Sequence, residues 1–114
     1  MEKYMLLFRE GDLSKLSPQQ QEAQMGKWLM WVDKLRKENR YHSGEPLLPG
    51  GKTVTGPKKV VTDGPFPESK EVIGGFFIVN AKNIDDAVSI AHDCPDFEFG
   101  ASVEVREVLK IDNM

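Results

Sequence analysis

The stretch EVIGGFFIV, Glu71–Val79, decides the fold. Val72, Phe76 and Ile78 alternate with Ile73, Phe77 and Val79, so it reads as a strand with apolar side chains on both faces. Such a strand belongs inside a sheet, and both of its faces need cover. Gly74-Gly75 weakens a strand interior, which predicts a bulge or the close approach of another backbone or a ligand.

The residues just before it, VTDGPFPESK, Val61–Lys70, form a stiff and charged approach. Asp63-Gly64 suits an Asx turn, and Pro65 and Pro67 hold Gly64 and Phe66 extended. Asp63 has two readings: a carboxylate that ties the turn together, or one held at a pocket mouth for proton transfer. Glu71 enters the apolar run, where desolvation would raise its pKa and make it a second acid–base candidate. Phe66, between the prolines, plugs into the core or lines a cavity.

A second strand of the same kind lies at Lys3–Arg9, with Tyr4, Leu6 and Phe8 on one face and Met5 and Leu7 on the other. Between the two come a helix and a second strand. Ser17, Pro18 and Gln20 give a capping box with proline at N1. Met25, Trp28, Leu29, Val32 and Leu35 then recur at helical spacing as the inward stripe, with Trp31 flanking it and Met30 pointing away. The helix closes near Arg40 on basic residues that suit the dipole. Tyr41–Leu48 reads as an edge strand, with Gly44 its bulge or bend and Pro46 marking the edge. KTVTGPKKVVT, Lys52–Thr62, reads as a hairpin bent at Gly56-Pro57. After Val79, Asn83 caps a second helix with the stripe Ile84, Ala87, Val88, Ala91 and Cys94, ended by Pro95. Ala101–Leu109 is the last strand.

The order β-α-β-(hairpin)-β-α-β is a ferredoxin-like α+β split βαβ with an inserted hairpin, one domain over residues 1–114. That topology puts the two strands that are apolar on both faces in the centre of the sheet. Two helices cover one face only. The other is expected to meet a second copy, giving a homodimer with the pairing of a dimeric α+β barrel. The space between the sheets is a natural place for a small-molecule ligand.

Composition narrows the class. The formal net charge is −3 and the basic cluster Lys58-Lys59 is too small for a nucleic-acid footprint, so no nucleic-acid partner is expected. The single Cys94 fits a reducing compartment, and MEKYMLLFRE lacks the long apolar core of a targeting segment. The expectation is a cytoplasmic protein with no membrane partner. His42 and His92 stand fifty residues apart without metal-ligand spacing, and no phosphate-binding glycine loop or nucleophile elbow is present, so neither metal nor cofactor is expected. His92 suits a helix C-terminus. His42, beside Tyr41, could face a cleft. Glu104 and Arg106 share one face of the last strand, either as a surface ion pair or, if that face turns into a cleft, with Arg106 as an anion clamp.

These residues resemble a known family. VTDGPFPESKEVIGGFF, then AHDCP and VEVREV, with KYMLLF at the start and SGEPL after the first helix, is similar to the YCII-related family, in particular its DGPF branch. The resemblance implies the dimeric α+β barrel superfamily, whose members include muconolactone-isomerase-like proteins, cofactor-free monooxygenases and haem-dependent dismutases. It also implies a branch sometimes linked to extracytoplasmic-function sigma factors. For better-studied members a His–Asp pair has been suggested, with its histidine in the first-helix region. Ser17–Arg40 holds no histidine here, so only Asp63, the acid of the DGPF motif, carries over.

Two functional readings follow. One is a cofactor-free acid–base enzyme (isomerase, lyase or hydrolase) acting on a small polar or anionic molecule. Asp63 and Glu71 would be its proton-transfer groups, Arg106 its anion clamp, and Tyr4, His42 and Phe66 its pocket lining. The other is a non-catalytic dimer that senses a ligand or docks on a regulatory partner.

Overall fold

The computed structural model describes residues 1–64 and 72–112. Phe66 and Glu71, two of the candidate residues, lie outside them. The chain runs β1 (Glu2–Arg9), α1 (Pro18–Lys37), β2 (Tyr41–Pro46), β3 (Lys52–Thr55), β4 (Val60–Asp63), β5 (Ile73–Ala81), α2 (Ile84–Ala91), a 3-10 turn (Phe97–Phe99) and β6 (Ser102–Glu107). Four strands form an antiparallel sheet in the order β2-β5-β1-β6, while β3 and β4 pair only with each other. This is the ferredoxin-like α+β arrangement with a hairpin inserted between β2 and β5. The two strands that are apolar on both faces take the two central places.

One face of the sheet carries the core. Tyr4, Leu6 and Phe8 of β1 and Phe77, Val79 and Ala81 of β5 are buried together with Trp31 and Leu35 of α1 and Ala87, Ile90 and Ala91 of α2. Both helices therefore pack on the same side. Phe77 is the hub of an aromatic cluster, with the rings of Phe8, Trp28, Trp31 and Tyr41 at centroid distances of 4.8, 5.9, 5.2 and 5.3 Å. Most of these pairs meet edge to face, the arrangement that the ring quadrupole favours.

The helices begin where their caps dictate. Ser17 Oγ accepts from the Gln20 N–H, and the Gln20 side chain accepts in return from the Ser17 N–H, which completes the capping box. Asn83 caps α2 by accepting from the Asp86 N–H. The inward stripe of α1 is turned from its expected phase. Met25 and Leu29 are exposed, whereas Trp31 is buried and Gln24 joins it inside. Gln24 tolerates burial because its amide donates to the Pro95 carbonyl and to Asp96 Oδ1, both at 2.7 Å. On α2, Ile84 and Val88 turn outward and Ile90 takes the inner place. Cys94 lies buried beyond the end of α2, and burial pushes its thiol up to about 11.

Bulges correct two further expectations. The β1–β5 register slips between Phe8 and Arg9, where Gly74 is skipped, so Ile73 pairs with Arg9 and moves to the face opposite Phe77. A Cβ on Gly74 would lie 2.4 Å from Glu10 Oε1, and one on Gly75 would lie 2.9 Å from the Glu45 carbonyl oxygen. In β2 the slip falls at His42, not Gly44. Gly44 is needed instead for close approach: a Cβ there would meet the Phe76 carbonyl oxygen at 2.7 Å and the Tyr41 hydroxyl at 2.9 Å.

The β3–β4 hairpin turns at Gly56-Pro57 as its sequence implies, but every residue of its two strands is exposed, Val54, Val60 and Val61 included. It stands off the sheet. The Cα radius of gyration, 15.8 Å, exceeds the about 13 Å expected of a closely packed chain of this length.

Candidate functional site

The second face of the sheet follows from the register. Across β2-β5-β1-β6, one row reads Ser43, Ile78, Met5, Arg106 and the next reads Glu45, Phe76, Leu7, Glu104. Each row has two apolar residues in the middle and polar or charged residues at its ends. Ile73, Arg9 and Ser102 continue the face beyond the bulge. Met5, Leu7, Phe76 and Ile78 are half-buried, and neither helix packs over them.

A line of charge borders this apolar strip on the β1–β6 side. Glu104 Oε1 lies 3.0 Å from Arg9 Nη2, and its other oxygen, Oε2, lies 3.9 Å from Arg106 Nε. Arg106 is well exposed and Arg9 is half-buried. Arg9 escapes sequence reading because it merely ends an apolar strand. Its place on the same face as Met5 and Leu7, and its diagonal reach to Glu104 across the regular β1–β6 register, bring it into the group.

The remaining candidates fall elsewhere. Tyr4 is buried on the helix-covered face, where its hydroxyl donates to Glu107 Oε1 at 3.0 Å. Burial first, and then the neighbouring Glu107, push its pKa up. Asp63 ends β4. Its carboxylate is highly exposed and accepts from Lys52 Nζ at 2.5 Å, across the open end of the hairpin from its strand partner. His42 is the bulge residue of β2, exposed, with Nδ1 2.9 Å from Ser43 Oγ. Among the described residues, Asp63, His42, Tyr4 and Arg106 therefore share no cavity. A shallow groove of about 330 Å³ runs along the outside of α1 between Met30, Asp33, Lys34, Lys37 and Glu38, away from all of them. Among the described residues no group of three or more His, Cys, Asp or Glu is placed to hold a metal ion. No described helix is long and apolar enough to cross a membrane.

Fold and surface together define a ferredoxin-like α+β protein with one helix-covered sheet face and one apolar face edged by charge. The model of the YCII-related domain matches residues 3–112, and the chain belongs to that family. No curated protein matches it. Among solved structures it is similar to the Arabidopsis thaliana protein At3g17210, known from an ensemble refinement of its crystal structure. The two share 14% identity over 100% of this chain and 99% of that one, with a TM-score of 0.41.

Proposed function

We propose that this YCII-related protein, of the DGPF branch, is a homodimer whose two sheets meet face to face and hold a small polar or anionic molecule between them. One observation carries the reading: Met5, Leu7, Phe76 and Ile78 form a continuous apolar strip on a sheet face that neither helix covers. Fully burying side chains of this kind is worth about 1.5–3 kcal/mol each. A two-fold axis buries the strip with one self-complementary patch. Charged row ends at the rim leave the cleft with an apolar floor and polar groups at its mouth, the usual make-up of a ligand site.

The dispersal of the ionisable candidates over one protomer favours ligand binding as the primary role. Acid–base catalysis is the second reading. It requires assembly to bring Asp63, and with it Glu71 and Phe66 of the same connection, to the mouth of the cleft beside Arg106 or His42. The pairing of Asp63 with Lys52 is in keeping with a hairpin-fastening role, and Tyr4, with its strand partner Glu107, faces away from the cleft.

Sedimentation equilibrium at micromolar protein tests the assembly. A dimer is expected, and Ile78→Lys, which places a charge in the strip, should yield a folded monomer by circular dichroism. A wild-type monomer overturns the reading. A thermal-shift screen of small organic acids on the dimer then tests the ligand, since a true ligand raises stability by mass action.

A further inference from the structure

We infer that Arg9, Glu104 and Arg106 form a carboxylate-binding site, and that its ligand is a small monocarboxylate with an apolar body. The inference rests on the proposed face-to-face dimer and names the ligand class of its cleft.

The three side chains come from neighbouring strands and share the uncovered face. Glu104 uses one oxygen for each arginine, so a single carboxylate holds two guanidinium groups on either side of it. The group keeps a formal charge of +1. On an open surface such a charge costs little, because water and salt screen it. Covered by a second sheet, it becomes a charge in a low-dielectric space that is strongly unfavourable without a counter-charge, supplied either by a ligand or by Glu45 at the far end of the same face in the facing copy. Among the described residues, Glu104 is the only acid at ion-pair distance from Arg106, with its nearest approach to Nε at a long 3.9 Å. With no hydrogen bond from its guanidinium among the described residues, Arg106 is suited to the parallel two-bond contact that guanidinium makes with carboxylate.

The charge count selects a monoanion: a phosphate dianion would replace a surplus of +1 with one of −1. The register selects the rest of the ligand. Met5 is the strand partner of Arg106 and Leu7 that of Glu104, with Phe76 and Ile78 next along the same rows. A molecule whose carboxylate rests on Arg106 thus lays its body on aliphatic and aromatic side chains. Glu104 is a positioning residue here, since it aligns the arginines without touching the ligand.

The probe is benzoate, with benzyl alcohol as its uncharged counterpart. Both are titrated calorimetrically into the intact protein at fixed ionic strength, with sedimentation velocity run on each sample. Wild type is expected to bind benzoate at least tenfold more tightly than the alcohol, and more weakly as salt is raised. Arg106→Met and Arg9→Met should each abolish that preference while the protein stays dimeric. A dimer that binds the two probes equally overturns the inference and leaves the dimer standing. A monomer that still prefers benzoate supports the site and overturns the dimer. If Arg106→Met dissociates the dimer, and wild type shows no benzoate preference, the counter-charge comes from Glu45 in a second copy and the inference falls.

Discussion

Asp86 should be among the most costly polar positions to remove. It sits in the first turn of α2, where it accepts from the Arg40 guanidinium and from the Lys82 N–H at 2.9 Å. Arg40 lies three residues past the end of α1, and its carbonyl accepts from the Asn80 N–H at 2.8 Å, so the pair ties the connection after one helix to the start of the other beside the sheet. The two side chains are only 24% and 23% exposed, and the pair is the most shielded of the ion pairs among the described residues. The nearby Arg40 guanidinium, and then the Lys82 N–H, hold the Asp86 carboxyl below the usual carboxylate range. Hydrogen bonds to charged groups are worth about 1.5–3 kcal/mol. A negative charge in the first turn of a helix adds about 0.3–1 kcal/mol. Asp86→Ala should therefore cost about 2–4 kcal/mol at pH 7, and about 4 °C of Tm for each kcal/mol in a domain of this size.

The pH dependence supplies a second signature. The carboxyl titrates lower in the folded state than in the unfolded chain. Its contribution is thus complete above about pH 4 and is lost as pH falls through the folded value. Urea melts of wild type, Asp86→Ala, Arg40→Met and the double variant, at one protein concentration and at pH 7 and pH 3, test both points. The expected results are a coupling energy above about 1 kcal/mol at pH 7 and a smaller gap between wild type and Asp86→Ala at pH 3. Near-additive variants, or a gap indifferent to pH, would refute the reasoning.

Three further outcomes follow from the geometry. Gly75→Ala should destabilise by more than Gly74→Ala, because the new methyl meets the Glu45 backbone in the first case and the mobile end of Glu10 in the second; thermal melts of the pair give the order directly. Phe77→Ala should cost about 3–5 kcal/mol and alter the near-ultraviolet circular dichroism, since Trp28 and Trp31 both lean on that ring. Asp63→Asn should change urea stability by less than about 0.5 kcal/mol, because its ion pair with Lys52 lies in water.

The sheet was legible in the sequence because period-two alternation in Lys3–Arg9 and Glu71–Val79 reports both faces of a strand at once. The order of the main strands followed from that. The phase of α1 was not legible. Met25 and Leu29 outrank Gln24 in hydrophobicity, and only the contact with Pro95 and Asp96, some seventy residues away, explains why Gln24 lies inside. Gly74-Gly75 announced an irregularity, but which glycine is skipped, and hence the face of Ile73, depends on pairing with β1. For the candidate site, Glu104 and Arg106 were visible as neighbours on one strand. Arg9 was not, because the contact that recruits it crosses from β1 to β6. Tyr4 looked like pocket lining until its alternation with Met5 placed it among the helices.

The detached hairpin divides the labour of the chain. A two-stranded ribbon that buries nothing is marginal by itself, so its amides should exchange with solvent long before those of β1 or β5. Its tip, Gly56–Lys59, is accordingly a site where evolution, or a protein engineer inserting a reporter peptide, can lengthen the chain with little penalty to the rest.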